Sequence, residues 1–277
     1  MVVRTVETIS SEDLKMMLVA IREAYGYDFT QYAEASIKRR SLYFMNSRTI
    51  PTLQQLSQML LQDERLFEEF VRNLSVTVTE MFRDPTFYAC LREKTMKRLA
   101  TYPFIKVWVA GCATGEEVYS IAILLKEEGL LSRSLIYATD INQHSLHQAK
   151  EGIFPMDLMK TYTANYQKSG GQKDFSKYYM AQYSAALFDK SLRNNIVFAP
   201  HNLASDQSFN EFQLILCRNV LIYFNQELQN KVMTLFYNSL CTFGILGLGN
   251  KESILFTDKQ QFFEPIDRKE KVFIKTS

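Results

Sequence analysis

VWVAGCATGEEVYSIAILL, residues 107–125, decides the fold of this chain. An apolar run of strand length stops at Ala110, Gly111-Cys112-Ala113-Thr114-Gly115 makes a tight turn, and helical spacing of apolar residues begins near Glu116. Strand, glycine turn and helix are the opening unit of a parallel α/β sheet. The two glycines let the backbone turn sharply and let a ligand come close. Their spacing is G-x-x-x-G, not the G-x-G-x-x-G of a dinucleotide loop. Two carboxylates, Glu116 and Glu117, follow at the helix start. There they would repel a pyrophosphate, which helix N-termini otherwise attract, and would attract a cation. The alternative reading is that both only favour the helix dipole.

Beyond this segment, strand-length apolar runs alternate with helical patterns. They are FIKVWVA (104–110), helix 116–128, LIYATD (135–140), helix 143–151, NIVFAP (195–200), FQLILC (212–217), helix 226–243, ILGLG (245–249) and KVFIKT (271–276). Continuous apolar runs joined by helices predict a doubly wound α/β domain. Residues 155–194, rich in Tyr, Lys, Ser and Gly, break the alternation and are too long for a plain loop. They are read as an inserted antiparallel hairpin element.

Toward the N-terminus the grammar is helical. Ser11 with Asp13 can cap a helix bearing Leu14, Met17, Leu18 and Ile21, which Gly26 interrupts. A second helix is predicted over Tyr32–Met45. Pro51 opens a third with Leu53, Leu56, Met59 and Leu60 on one stripe. Asp63–Leu74 makes a fourth, with Leu66, Phe67, Phe70, Val71 and Leu74 inward.

Composition narrows the function. Hydrophobic residues make up 47% of the 277, enough for a core and against disorder. With 32 basic against 30 acidic residues the net charge is +2, which disfavours a nucleic-acid binder. No apolar run is long enough for a membrane span, and MVVRTVETISSEDL lacks the signal-peptide pattern. Cys90, Cys112, Cys217 and Cys241 form no CxxC pair, so no metal site is expected and reduced thiols in the cytoplasm are. His144 and His147, at i, i+3, read as solvated helix residues.

Candidate site residues gather at strand ends. Asp140, closing LIYATD, can accept hydrogen bonds from both hydroxyls of a ribose, or cap the next helix. A ligand with an ammonium group, a sulfonium and an adenosine fits the carboxylates of Glu116 and Glu117 better than NAD or ATP does, and S-adenosylmethionine is such a ligand. Asn202, after NIVFAP, can read an adenine edge, or serve as a turn residue. Arg218-Asn219 sits at the carboxyl end of FQLILC, where open sheets place ligands, with Tyr223 one helical turn on. SVTVTEMFRDP (75–85) joins the two halves. Thr77 and Thr79 share a face there if it is extended, and Arg83 follows, free for a ligand or paired with Asp84 or Glu80.

Together, TVTEMFRD, GCATGEEVYS, ATDIN, HNL, CRNVLIYF and GNKES followed by KVFIK resemble the chemotaxis-receptor glutamate methyltransferase family over nearly the whole chain. The resemblance implies a doubly wound class I methyltransferase sheet, with an N-terminal all-α module and an inserted small antiparallel β subdomain. The implied limits are 1–75 for the helical module, 76–100 for a junction contributing to the cofactor pocket, and 101–277 for the S-adenosylmethionine-binding domain, with 155–194 inserted. The cofactor-binding positions implied are Thr77, Thr79, Arg83, Glu117, Asp140, Asn202, Leu203, Arg218 and Asn219. Arg83 would also steer the substrate carboxylate, and Tyr223 would shape the path of the methyl. Thr77 stands where many members have Asn.

The activity implied is methyl transfer from S-adenosylmethionine to glutamates of chemoreceptor cytoplasmic domains, with S-adenosylhomocysteine as product. Lys38, Arg39, Arg40 and Arg48 could steer docking of an acidic receptor helix, or be a solvated helix face. Nucleic acid and membrane insertion are not expected, and a cytoplasmic monomer is. Two other readings stay open: a non-catalytic S-adenosylmethionine-binding signalling module, and a methyltransferase for small molecules or nucleic acid, the latter disfavoured by the lack of an NPPY or DPPY box.

Overall fold

The computed structural model describes residues 9–74 and 79–276, which fall into two compact units. One holds the N-terminal helices together with residues 222–231; the other holds the rest.

The helical unit is built from α1 (Ser11–Tyr25), α2 (Glu34–Ser47), α3 (Leu53–Gln62) and α4 (Glu64–Leu74). The cap of α1 is Ser10, one residue earlier than expected: its Oγ accepts from the Asp13 backbone N–H at 3.0 Å, and Ser11 is the first helical residue. Leu14, Met17, Leu18 and Ile21 face the core as their spacing requires. So do Phe67, Phe70, Val71 and Leu74 of α4. Tyr25 stacks on Phe67 at 3.9 Å, and Phe44 meets Phe70 edge-on. Met59, placed on the buried stripe of α3 by periodicity, points outward at 42% exposure; Leu53, Leu56 and Leu60 alone fill that face.

The larger unit opens with α5 (Pro85–Cys90), a π-helical turn at Leu91–Thr95 and α6 (Met96–Leu99). The strand alternation used to read the sequence has no place for this segment, yet Phe87, Tyr88, Leu91, Met96 and Leu99 are all core residues. Then come β1 (Ile105–Ala110), α7 (Glu116–Glu127), β2 (Ser134–Asp140), α8 (Gln143–Glu151), β3 (Ile153–Pro155), α9 (Met159–Lys168), β4 (Tyr179–Gln182), β5 (Ala185–Phe188), α10 (Lys190–Arg193), β6 (Ile196–Pro200), β7 (Phe212–Cys217), α11 (Gln226–Ser239, of which 226–231 count with the helical unit), β8 (Leu240–Leu248), β9 (Phe263–Asp267) and β10 (Val272–Lys275).

Seven strands form one sheet in the order β6-β2-β1-β7-β8-β10-β9. The first five are parallel, and β10 pairs antiparallel with both β8 and β9. Its centre is apolar: Ile105, Val107, Trp108 and Val109 of β1 have no exposed surface, and Trp108 Nε1 donates to Thr139 Oγ1 at 2.8 Å. The order reverses between β1 and β7, which sets a crevice at the carboxyl ends of those strands. Strand β8 begins at Leu240 rather than 245, because α11 stops at Ser239 and the chain pairs at once with Phe212. Strand β9 does not figure in the sequence reading at all.

The insertion is more than a hairpin. Its three strands make an antiparallel sheet, β3-β5-β4, and α9 lies within it. The α9 sequence, MKTYTANYQK, mixes good helix formers with Thr, Tyr and Asn, which are weak ones. Burial of Met159, Tyr162 and Tyr166 holds it helical instead. Glu127, at the end of α7, ties this element down. Its fully buried carboxylate accepts from Tyr166, from Tyr178 at 2.8 Å, from Arg92 Nη2 at 2.7 Å and from the Gln172 backbone N–H at 3.2 Å. Burial alone would raise that carboxyl, but the Tyr166, Tyr178 and Arg92 bonds outweigh it and hold it below its ordinary value.

Candidate functional site

The glycine turn after β1 is held by the end of β2. Gly111 and Cys112 both donate their N–H to the Thr139 carbonyl, at 2.8 and 2.9 Å, and Ala113 N–H donates to Asp140 Oδ2 at 2.9 Å. Gly115 N–H turns back onto Cys112. Gly111 and Gly115 have φ of +74° and +97°, and a Cβ on Gly111 would lie 2.4 Å from Val220 Cγ2. A phosphate loop works by offering free backbone N–H groups. Four of the five amides here are already spent, so the turn is built for a ligand that touches it by shape.

Asp140 receives the turn without exhausting itself. Oδ2 takes Ala113 N–H, and Oδ1 takes Asn142 N–H at 2.8 Å. The Ile141 backbone N–H donates to it as well; an ionised carboxylate offers about four acceptor positions, so one is left for a ligand hydroxyl. The cap of α8 is Asn142, whose Oδ1 accepts from His144 and Ser145, so the capping alternative for Asp140 falls away. Burial raises the Asp140 carboxyl above its ordinary 3.8, against the backbone N–H bonds of Asn142 and Ala113 that lower it. A ribose held by this group would bind best above that raised value. We expect affinity for an adenosine cofactor to fall as the pH drops and protonates this carboxyl, sooner than it would an ordinary Asp, and Asp140→Ala to cost about 1–3 kcal/mol at neutral pH. Titration calorimetry across pH checks both, with Asp140→Asn expected to flatten the acid limb.

The two glutamates of the loop go to different partners. Glu116 turns inward: Oε2 accepts from Thr114 Oγ1 at 2.7 Å and Oε1 from Tyr162 of the insertion at 3.3 Å. Burial pushes its carboxyl up, and the two hydroxyls only partly offset this. Glu117 meets Arg218, whose Nη1 donates to Oε1 at 2.9 Å; Tyr88 donates to the same oxygen at 3.3 Å. Arg218 Nη2 also reaches Asp84 Oδ2 at 2.7 Å and the Arg83 carbonyl at 3.1 Å. The guanidinium lies 4.1 Å over the Phe87 ring. Burial disfavours its charge, but Glu117, Tyr88 and Asp84 more than restore it. Arg218 Nε is buried without a hydrogen-bond partner among the described residues, one donor left in the site.

Arg83 carries its side chain half-buried, with no ion pair to a described residue. Neither Glu80 nor Asp84 takes it: Glu80 accepts from Asn165 and Asp84 from Arg218. Thr79 is half-buried, and Thr77 lies outside the described residues. Asn202 Oδ1 accepts from Ala204 N–H at 2.9 Å, which leaves its amide Nδ2 as the group open to a ligand edge. Leu203 is buried next to it. Asn219 stands at φ +61°, and Asn219 N is 2.9 Å from where a Gly249 Cβ would lie. Glu252, which no spacing argument singled out, accepts from Val220, Leu221 and Gly249 N–H groups. Its only sequence signal is the GNKES motif itself.

Tyr223 and the basic cluster belong to the helical unit. The Tyr223 carbonyl accepts from Ala33 N–H at 2.7 Å, and Arg40 lies 5.8 Å from its ring. Arg40 is engaged a second time, donating to the Asn73 carbonyl at 2.7 Å. Lys38 pairs with Glu34 and Arg48 with Glu69, so of the four basic residues only Arg39 is exposed without an ion pair to a described residue.

Against known proteins, residues 77–272 match the family described as "CheR methyltransferase, SAM binding domain", and residues 12–75 match "CheR methyltransferase, all-alpha domain". Cher3 of Pseudomonas putida, a methyltransferase by name, is 47% identical over 272 residues, covering 98% of this chain and 100% of its own. The chemotaxis protein methyltransferase of Listeria innocua is 30% identical over 85% of this chain and 87% of its own length. That of Escherichia coli is 29% identical over 70% and 67%. The solved N-methyltransferase NodS of Bradyrhizobium japonicum, with S-adenosylhomocysteine bound, has a TM-score of 0.35 at 13% identity, over 61% of this chain and 62% of its own.

Proposed function

We propose that this chain, which belongs to the CheR methyltransferase family, transfers a methyl group from S-adenosylmethionine to glutamate side chains of chemoreceptor cytoplasmic domains. Its class I methyltransferase sheet binds S-adenosylmethionine, and the chain is a methyltransferase. The observation that carries the substrate reading is the pairing of the two matched segments. A cofactor domain alone is compatible with many methyl acceptors; joined to the all-alpha domain over residues 12–75, it narrows the reading to the family of the chemotaxis methyltransferases. No helix among the described residues is long and apolar enough to cross a membrane. A cytoplasmic enzyme meeting the cytoplasmic ends of receptors fits that.

The bound cofactor supplies an electrophilic methyl on a sulfonium. The chain's residues hold and orient. Asp140 accepts from the ribose, Glu117 from the ammonium group, and Asn202 donates to the adenine edge. Arg83 steers the incoming carboxylate by charge-assisted hydrogen bonds. The substrate glutamate, with a reference pKa near 4.3, is already ionised at neutral pH and needs no general base. Alignment of reacting atoms can supply roughly 7–11 kcal/mol of the barrier.

The test is methyl incorporation into purified receptor cytoplasmic domains, followed by alkali. Glutamate methyl esters release methanol; base-stable label would overturn the carboxylate reading. Arg39 is the docking residue left free, and its reversal to Glu should raise the Michaelis constant for receptor about 1.5- to 5-fold, the range of an exposed charge. It should also flatten the salt dependence and leave cofactor affinity unchanged. An unchanged Michaelis constant at low salt would remove Arg39 from docking.

A further inference from the structure

We propose that Glu252 is a positioning residue for the cofactor site, a role that rests on the assignment of Asn219 to that site. Its side chain is buried at 4% residue exposure, and it uses both oxygens on backbone. Oε1 accepts from Val220 N–H at 2.8 Å and Leu221 N–H at 2.7 Å, and Oε2 accepts from Gly249 N–H at 2.6 Å. One carboxylate thereby joins the turn after β7 to the end of β8. The turn needs such a tie. Asn219 sits in the left-handed region at φ +61°, a conformation that persists in a non-glycine residue only when its surroundings over-determine it. Val220 packs over Gly111, so the same turn also roofs the glycine loop. The space admits nothing else: a Cβ on Gly249 would lie 2.8 Å from Glu252 Oε2 and 2.9 Å from Asn219 N. Glu252 touches no reacting atom; it fixes where Asn219 and the roof of the loop stand before the cofactor arrives.

A carboxylate is required because the three backbone groups are all donors. In Glu252→Gln one oxygen becomes an NH2, and a donor then faces a donor. Glu252→Asp keeps the charge and both acceptors, but is one methylene short. The experiment measures S-adenosylhomocysteine affinity by calorimetry, hydrogen exchange of the Val220, Leu221 and Gly249 amides by NMR, and single-turnover methyl transfer. Glu252→Gln should weaken S-adenosylhomocysteine binding at least tenfold and speed exchange at those three amides, with the β1 and β2 amides still protected. Glu252→Asp should recover part of both losses. If Glu252→Gln does not fold, Gly249→Ala, which forces a Cβ against the same carboxylate, should show the same paired losses. Faster exchange with unchanged affinity and turnover would make the tie structural only and overturn the proposal. Wild type that binds neither S-adenosylmethionine nor S-adenosylhomocysteine would overturn the reading beneath it as well. Wild type that binds, beside a Glu252→Gln that binds equally, overturns the role of Glu252 alone.

Discussion

Arg218→Met should destabilise the larger unit by about 3–5 kcal/mol, the cost of removing one partner from a buried ion pair. The methionine keeps the apolar contact with Phe87 and removes the charge. Glu117, with a side chain only 12% exposed, then loses its cation and keeps only a long bond from Tyr88. The Arg83 carbonyl and Asp84 lose their donor at the same time. Urea denaturation of the single variant measures the cost; a loss under about 1 kcal/mol would show that water already reaches the cluster. The double variant Arg218→Met, Glu117→Gln separates stability from binding. With the orphaned charge gone, much of the stability should return, because removing both partners is far cheaper than removing one. Cofactor affinity should not return, because Glu117 is the proposed partner of the cofactor ammonium group. If the double variant binds as wild type does, Glu117 is a structural counterion and nothing more.

The parts of the fold legible in sequence are those where neighbouring residues decide structure. The glycine turn was readable because φ beyond +70° at two positions demands glycine, and β1, β2 and β7 because apolar runs of six or seven residues leave no other place than a sheet centre. The parts that were not legible are set by partners far along the chain. Glu116 and Glu117 are adjacent and chemically identical, yet one bonds Tyr162 and the other Arg218. No local pattern tells them apart. The helix α9 was hidden for the same reason: its Tyr and Thr content reads as strand, and only the space beneath Tyr162 and Tyr166 makes it helical. In sequence Arg40 is one more cation of a basic cluster; its contacts with Asn73 and Tyr223 come from segments far along the chain. Glu252 lay within the GNKES motif, but its role was not legible because its partners are backbone groups, which carry no sequence signal. The place of Asp140 was legible, since the end of a second strand is a fixed position relative to the glycine turn.

Arg83→Ala should lower methyl transfer about 10²–10³-fold, the usual loss when one preorganised donor is taken from a reacting charge, while cofactor affinity changes far less. The backbone around Arg83 is built with unusual care. Phe82 and Asp84 on either side both stand in the left-handed region, at φ +52° and +56°. Such strain persists only under constraint, and it clusters where function needs it. The constraints are visible: Phe82 N–H donates to Ser120 Oγ at 2.9 Å, Asn165 holds the Met81 carbonyl at 3.2 Å, and Arg218 holds both the Arg83 carbonyl and the Asp84 carboxylate. Yet the Arg83 guanidinium itself has no acid among the described residues. A cation near a sulfonium opposes cofactor binding, so it is useful there only if an anionic oxygen must be brought to the methyl. Arg83→Lys should rescue turnover in part, because an ammonium cannot make the forked contact a carboxylate accepts from guanidinium. Single-turnover transfer and the S-adenosylmethionine dissociation constant, measured on the same variants, decide the matter. Equal losses in both would make Arg83 a cofactor ligand, and no loss in either would remove it from the site.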